Sequence, residues 1–299
     1  MTVDRDVDEP VRVRGRDLQR RLESDGFIRV PFLDGGAVAR LRELWARVAP
    51  SEVKGIYSNV HSLDVDTNRR IDQVITEVFR GPFDRLFVGA RLGGASFLVK
   101  GTGPDSASTP HQDWSTVEED RTRSLSVWVP LVDVDESNGA LQVIPGSHRL
   151  RMSIRSLDSP SLYMDFDEDL DPFLEAVPAR AGDAVVYAHD LFHGSRPNAS
   201  ARVRVCAVSG IVTDGARLVH HRRVDSSDPD TFDVFEVDRD FYFSGIPAMA
   251  AGSVPDTARW VRRTTVPDHR LTAAEVLQFA SQRRGRTGGW ERPDPRGPE

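Results

Sequence analysis

The chain has 299 residues, 39% hydrophobic and 28% charged, an ordinary globular composition with ample length for a sizeable core. Lys and Arg total 39 against 46 Asp and Glu, and the net charge of −7 argues against nucleic acid as the main partner, because phosphate-binding surfaces need a basic balance or stripe. The single cysteine, Cys206, cannot form an internal disulfide, no apolar run approaches the roughly 20 residues that span a bilayer, and the start Met1-Thr2-Val3-Asp4 lacks a signal-peptide pattern. These features predict a cytoplasmic protein with no membrane segment.

Residues 1–14 are charged and short of apolar anchors, which predicts a loose tail. Leu18 and Leu22 predict a short helix running into a strand over Phe27 to Phe32. Asp34 then reads as the N-cap of a helix whose apolar stripe is Val38, Leu41, Leu44, Trp45 and Val48. A second amphipathic helix is expected over 71–87, with Ile71, Val74, Ile75, Val78 and Phe79 facing inward. Beyond it the period falls to two, and strands are expected at 95–100, 124–132, 140–144, 184–188 and 203–212. Cys206 lies in the last of these and reads as a buried, inert thiol. The acidic stretch Tyr163 to Asp171 reads as a surface loop or short lid. Residues 213–258 read as a long, mostly irregular excursion whose Phe241-Tyr242-Phe243 cluster must be buried, in the core or over a site. From Arg283 onward Arg, Gly and Pro dominate, and 283–299 is expected to be a disordered tail. Helices followed by many short strands predict one α+β, mainly β domain over 15–282, with an antiparallel sandwich or barrel at its centre.

The chemistry is concentrated in His111-Gln112-Asp113 and in a later His193. Two imidazoles and a carboxylate form a three-ligand face for ferrous iron that leaves the opposite face open. If 111–113 is a strand, His111 and Asp113 share one side and can reach the same ion. His189 and His193 compete for the third position. Their spacing does not separate them, but Ser195, Arg202 and Arg204 follow His193 and favour it, leaving His189 as a near-site or structural residue. An arginine there can hold the far carboxylate of an organic acid bidentately and stays charged at any working pH. Strand parity allows either Arg202 or Arg204. His61, His148, His220, His221 and His269 lack a partnered context and read as exposed or hydrogen-bonded histidines.

With these residues in view, the chain resembles the phytanoyl-CoA dioxygenase family of Fe(II)- and 2-oxoglutarate-dependent oxygenases. The matching pieces run in order: Asp25-Gly26-Phe27-Ile28, Phe97-Leu98-Val99-Lys100, His111-Gln112-Asp113, Ser126-Val127-Trp128, Asn138-Gly139-Ala140-Leu141, Ile144-Pro145-Gly146-Ser147-His148, His193-Gly194-Ser195-Arg196-Pro197-Asn198 and Arg204. They cover roughly residues 20–212, and 213–299 carries no matching motif. The resemblance implies a double-stranded β-helix, or jelly-roll, core of two antiparallel sheets at about 88–212, flanked by N-terminal helices, with 213–282 as an extension or lid. It implies Fe(II) on His111, Asp113 and His193, and selects Arg204 for the 2-oxoglutarate C5 carboxylate, with Ser195 beside it. Trp128 and Ser96 are its further cosubstrate positions, although Trp128 by itself reads equally as a core aromatic. Gln112, Phe241 and Phe243 are candidate substrate contacts.

The implied reaction consumes O2 and 2-oxoglutarate, releases succinate and CO2, and hydroxylates an unactivated C–H bond. Iron halogenases that resemble this family carry a small residue at the carboxylate position, so Asp113 favours hydroxylation. Desaturation, epimerisation or cyclisation use the same ligands and remain open. The acidic balance predicts a small molecule or natural-product intermediate rather than a coenzyme A ester. Two other classes compete: a metal-dependent cupin-type isomerase or lyase, which leaves Arg204 without a task, and a non-catalytic ligand-binding relative, which need not keep all three ligands.

Overall fold

The computed structural model describes residues 11–61, 63–150, 154–156, 170–225, 227–266 and 271–284. The N-terminal part contains β1 (Arg12–Val13), α1 (Arg16–Asp25), β2 (Phe27–Pro31), α2 (Gly35–Val48), β3 (Ile56–Ser58), α3 (Val65–Leu86) and β4 (Phe87–Val88). The middle runs through β5 (Ala90–Lys100), β6 (Ser108–His111), β7 (Leu125–Pro130), β8 (Leu141–Val143), β9 (Glu175–Val177), β10 (Asp183–Ala188), β11 (His193–Ser195) and β12 (Arg204–Thr213). The C-terminal part adds β13 (Leu218–Asp225), β14 (Asp228–Val237), α4 (Ile246–Ala250), β15 (Ala258–Thr265) and α5 (Ala273–Arg284).

Two antiparallel sheets face each other as a jelly roll, the expected architecture. The larger has the order β2-β10-β7-β12-β5-β3 and the smaller β6-β11-β8-β9. Valine-rich strands such as Asp183–Ala188 and Leu125–Pro130 are buried on both faces because helices cover the outer side of the larger sheet. Leu41 of α2 and Ile71, Ile75 and Phe79 of α3 have no exposed surface, and Phe79 meets Phe32 edge-on at 5.2 Å. Asp34 caps α2 as expected, accepting from the Ala37 N–H at 2.8 Å. Helix α3 starts earlier than the stripe at 71–87 predicts: Asp64 accepts from the Thr67 N–H at 2.9 Å, and the polar first turn carries no apolar periodicity to reveal it.

Three sequence expectations are corrected. Residues 11–14 are no loose tail, because Val11 and Val13 are buried and Arg12–Val13 pairs with Phe87–Val88. The stretch 213–258 is not mostly irregular. Its strands β13 and β14 join β15 in a three-stranded antiparallel sheet. Charged residues interrupt the alternation there, and Phe235, Val237 and Phe241 instead pack into a second apolar cluster with Val117 and Val212. Finally, α5 runs to Arg284, past the expected boundary at 282. Residues 1–10, most of the acidic 163–171 stretch, His269 and the tail from 285 lie outside the described residues. Among the described residues no helix is long and apolar enough to cross a membrane.

Candidate metal and cosubstrate site

Strands β6 and β11 are antiparallel neighbours with His111 directly opposite His193. They approach so closely that a Cβ on Gly194 would meet the Ser108 carbonyl oxygen at 2.7 Å, so only glycine fits between His193 and Ser195. Asp113 lies beyond the end of β6, not in a strand. Its N–H donates to the His189 carbonyl at 2.7 Å, and this bond, rather than strand parity, carries it to the site. One ligand atom from each of His111, Asp113 and His193 lies within 4.8 Å of the other two. The Asp113 Oδ1 is 3.7 Å from His111 Nε2 and 3.6 Å from His193 Nε2.

Each imidazole is oriented through its other nitrogen. His111 Nδ1 bonds the Thr109 carbonyl and His193 Nδ1 the Leu191 carbonyl, both at 2.9 Å, which puts the proton on Nδ1 and turns the Nε2 lone pair toward Asp113. Burial, opposed by the Asp113 charge, pushes His193 down to about 4, so it is neutral as a metal ligand must be. The Asp113 carboxyl is held below its ordinary range: burial works against its charge, but a proton on the His193, His189 or His111 ring and the Arg155 guanidinium favour it. Its second oxygen faces the Ser126 hydroxyl at 3.4 Å. Burial and the Asp113 charge keep the neighbouring Tyr187 hydroxyl neutral. Two imidazoles held through Nδ1 and one oriented carboxylate fit Fe(II).

Arg204 opens β12 at 3% exposure, donates from Nη1 to the Gly139 carbonyl at 2.9 Å, and lies 5.1 Å over the Trp128 ring. Its buried Nε has no partner, and among the described residues it makes no ion pair. Lys100, its cross-strand neighbour, is also fully buried, and among the described residues its ammonium donates to the Ser106 and Arg196 carbonyls. Burial and the Arg204 charge push Lys100 down to about 7. Arg204, desolvated and without a counter-ion among the described residues, offers a place for an organic anion, whereas Lys100 does not line the cavity.

A cavity of about 570 Å³ joins these groups, lined by the three candidate ligands, Arg204, Ser195, Trp128, Ser96 and Phe243. Trp128 thus serves as both core aromatic and cavity wall. Two expected contacts fail. Gln112 is absent from the lining; its Nε2 donates to the Leu150 and Asp190 carbonyls at 2.7 and 2.6 Å, on the face opposite its two neighbours. Phe241 is packed in the second apolar cluster, 4.9 Å from the His220 ring. Arg202 does not line the cavity either, and His189 does so as a near-site residue, its Nδ1 bonded to Ser124 Oγ at 2.8 Å. Sequence reasoning missed Tyr187, Ser126, His61, Leu218 and Ile246, all of which line the cavity. Ser126 lies in the Ser126-Val127-Trp128 piece without having been singled out, and no motif announces the others, because each reaches the site through tertiary packing.

Fold and site together define a jelly-roll protein with a two-histidine, one-carboxylate centre beside a buried anion pocket. The model of the phytanoyl-CoA dioxygenase family (PhyH) matches residues 22–206, more than half of the chain, and the chain belongs to that family. It is 32% identical over 107 residues to Phytanoyl-CoA dioxygenase 1 of Oryza sativa subsp. japonica, covering 35% of this chain and 38% of that one. It is 31% identical over 115 residues to a phytanoyl-CoA dioxygenase domain-containing protein of Danio rerio, covering 35% of this chain and 38% of that one. The matched stretch is therefore well under two thirds of these relatives' own length. Among solved structures, the epimerase SnoN in complex with Fe3+, alpha ketoglutarate and nogalamycin RO shares 26% identity at a TM-score of 0.48, over 68% of this chain and 84% of that one.

Proposed function

We propose that the protein is an Fe(II)/2-oxoglutarate-dependent dioxygenase that hydroxylates an unactivated C–H bond of an uncharged small molecule. The observation that carries this reading is the presence in one cavity of three convergent ligands and a buried arginine without a counter-ion. His111, Asp113 and His193 hold the iron, which with 2-oxoglutarate and O2 supplies the oxidising chemistry, releasing succinate and CO2. Arg204 receives the C5 carboxylate through its unpartnered Nε edge, with Ser195 and Ser96 on the same wall and Trp128 stacked on the guanidinium. Ser126 Oγ, 3.4 Å from Asp113 Oδ2, helps to orient the carboxylate that would hold the metal.

The walls favour the class of substrate. Val60, Leu98, Trp114, Val208, Leu218, Phe243 and Ile246 are apolar. Apart from Asp113 and Arg204, no Asp, Glu, Lys or Arg lines the cavity among the described residues. The phosphates of a coenzyme A ester would find no partner inside, and the volume suits a compact ligand beside the cosubstrate. The test has two stages. Anaerobic addition of Fe(II) and 2-oxoglutarate should give a weak visible charge-transfer band, whose absence would favour an isomerase or a non-catalytic binder. Screening neutral molecules for substrate-dependent succinate release, with mass spectrometry, should then find a product heavier by one oxygen atom. Loss of two hydrogens or an unchanged mass would move the assignment to desaturation, cyclisation or epimerisation.

A further inference from the structure

The backbone that carries Asp113 has no strand to hold it, since β6 ends at His111. The direction of its carboxylate therefore depends on the two flanking peptide groups. One is held by the His189 carbonyl, which accepts from the Asp113 N–H at 2.7 Å. The other is held by a side chain: Arg155 Nε donates to the Asp113 carbonyl at 2.6 Å. The same guanidinium forks onto Glu119, with Nη1 2.9 Å from Oε2 and Nη2 2.5 Å from Oε1. Arg155 and Ser115 are also joined twice, Ser115 N–H to the Arg155 carbonyl at 2.9 Å and Arg155 N–H to Ser115 Oγ at 3.2 Å.

We infer that the Arg155–Glu119 pair is a positioning device that fixes the direction of the Asp113 carboxylate and so sets metal affinity. The inference rests on the preceding reading only in taking Asp113 as a metal ligand. The side chains are 3% and 6% exposed, and burying two charges is costlier than burying an apolar pair of the same size. Stability alone does not call for such a pair. Its fork geometry, in contrast, fixes a guanidinium in both direction and distance, and the third edge of that guanidinium is the one that grips Asp113. The far end of the run is anchored as well: Glu118 takes a two-point ion pair from Arg262 of β15, and the Val219 N–H of β13 donates to the Thr116 carbonyl. The three-stranded C-terminal sheet and Arg155 thus clamp the ligand-bearing segment from two sides.

The test compares the full chain with the double variant Arg155→Met, Glu119→Met and the single variant Glu119→Gln. Mn(II) affinity is read from the free-ion EPR signal and Tm by calorimetry, neither of which needs turnover. Removing both members avoids stranding one buried charge of the pair without the other, so the double variant should keep a Tm near wild type while its Mn(II) Kd weakens about 10–100-fold, the usual effect of losing a group that orients a ligand. Glu119→Gln should weaken Kd in the same direction by less, and it decides the matter if the double variant does not fold. Asp34→Ala, which lowers Tm through the distant cap of α2, should leave Kd unchanged. A Kd within about twofold of wild type in both pair variants overturns the inference, as does an equal loss in Asp34→Ala. A wild-type chain that binds no Mn(II) overturns it together with the metal reading. If Mn(II) binds with the expected pattern but no succinate is ever released, the dioxygenase reading fails and the clamp stands.

Discussion

Among the described residues Arg204 carries its charge at 3% exposure with the Gly139 carbonyl and the Trp128 face as its side-chain partners, which makes it the most discriminating single residue to change. Arg204→Ala removes a charge-assisted contact worth about 1.5–3 kcal/mol, so the KM for 2-oxoglutarate should rise roughly 10–150-fold. Iron affinity should stay nearly constant, because none of the three candidate ligands bonds Arg204; equal loss of both in paired titrations would count against its role. Asp113→Ala should behave in the opposite way, with iron lost on desalting and measured by metal analysis. Gly139 links the site to backbone geometry. Its φ is 81°, and a Cβ there would meet Lys100 Cδ at 2.6 Å and the Arg196 carbonyl at 2.9 Å. Gly139→Ala should therefore disturb both buried cations and lower Tm, although the residue contacts no reacting atom.

At the scale of elements, β13 offers a pH test away from the metal centre. Burial, with the neighbouring His221 and Arg222 charges, pushes His220 down to about 4 from 6.5. The folded state therefore holds it neutral. The stability this supports is fully present above pH 6.5 and is lost as pH falls from 6.5 toward 4. Urea unfolding at stepped pH should show that decline, and His220→Gln should flatten it. A slope unchanged by the substitution would mean that other groups drive the acid loss. The cap of α2 gives a simpler case: Asp34→Ala removes the bond to the Ala37 N–H and should cost about 1 kcal/mol in chemical denaturation. Helix caps and periodic stripes are local, which is why α2 is legible in the sequence to its first residue. The start of α3 and the strands β13 to β15 are not, because polar residues there are tied by tertiary contacts such as Arg239 to Asp72 and Arg263 to Asp233.

Over the whole molecule, the family match ends at residue 206, yet the cavity does not. Leu218, Tyr242, Phe243 and Ile246 come from beyond that point and form part of its wall. Substrate choice is thus predicted to reside in the C-terminal part, while the metal and cosubstrate chemistry resides in the jelly roll. Phe243→Ala should raise the KM for the substrate, or release succinate without product, and leave the KM for 2-oxoglutarate close to wild type. A matched change in both would place Phe243 in general packing. The same division accounts for the two aromatic neighbours that look alike in sequence: Phe243 faces the cavity, and Phe241 fills the cluster beneath the three-stranded sheet.

The chain's residues alone pointed to the candidate ligand set, favoured His193 over His189 and gave away the sheet-forming middle of the fold. These depend on residue chemistry and short spacings, and both are written along the chain. Tertiary structure decided which groups turn toward the metal and which turn away. Gln112 sits between two ligands yet is held out of the cavity by the Leu150 and Asp190 carbonyls, which its amide bonds. Tyr187, Ser126 and the Arg155–Glu119 pair come from separate stretches of chain, and only the folding of two sheets and a C-terminal extension into one core brings them to Asp113.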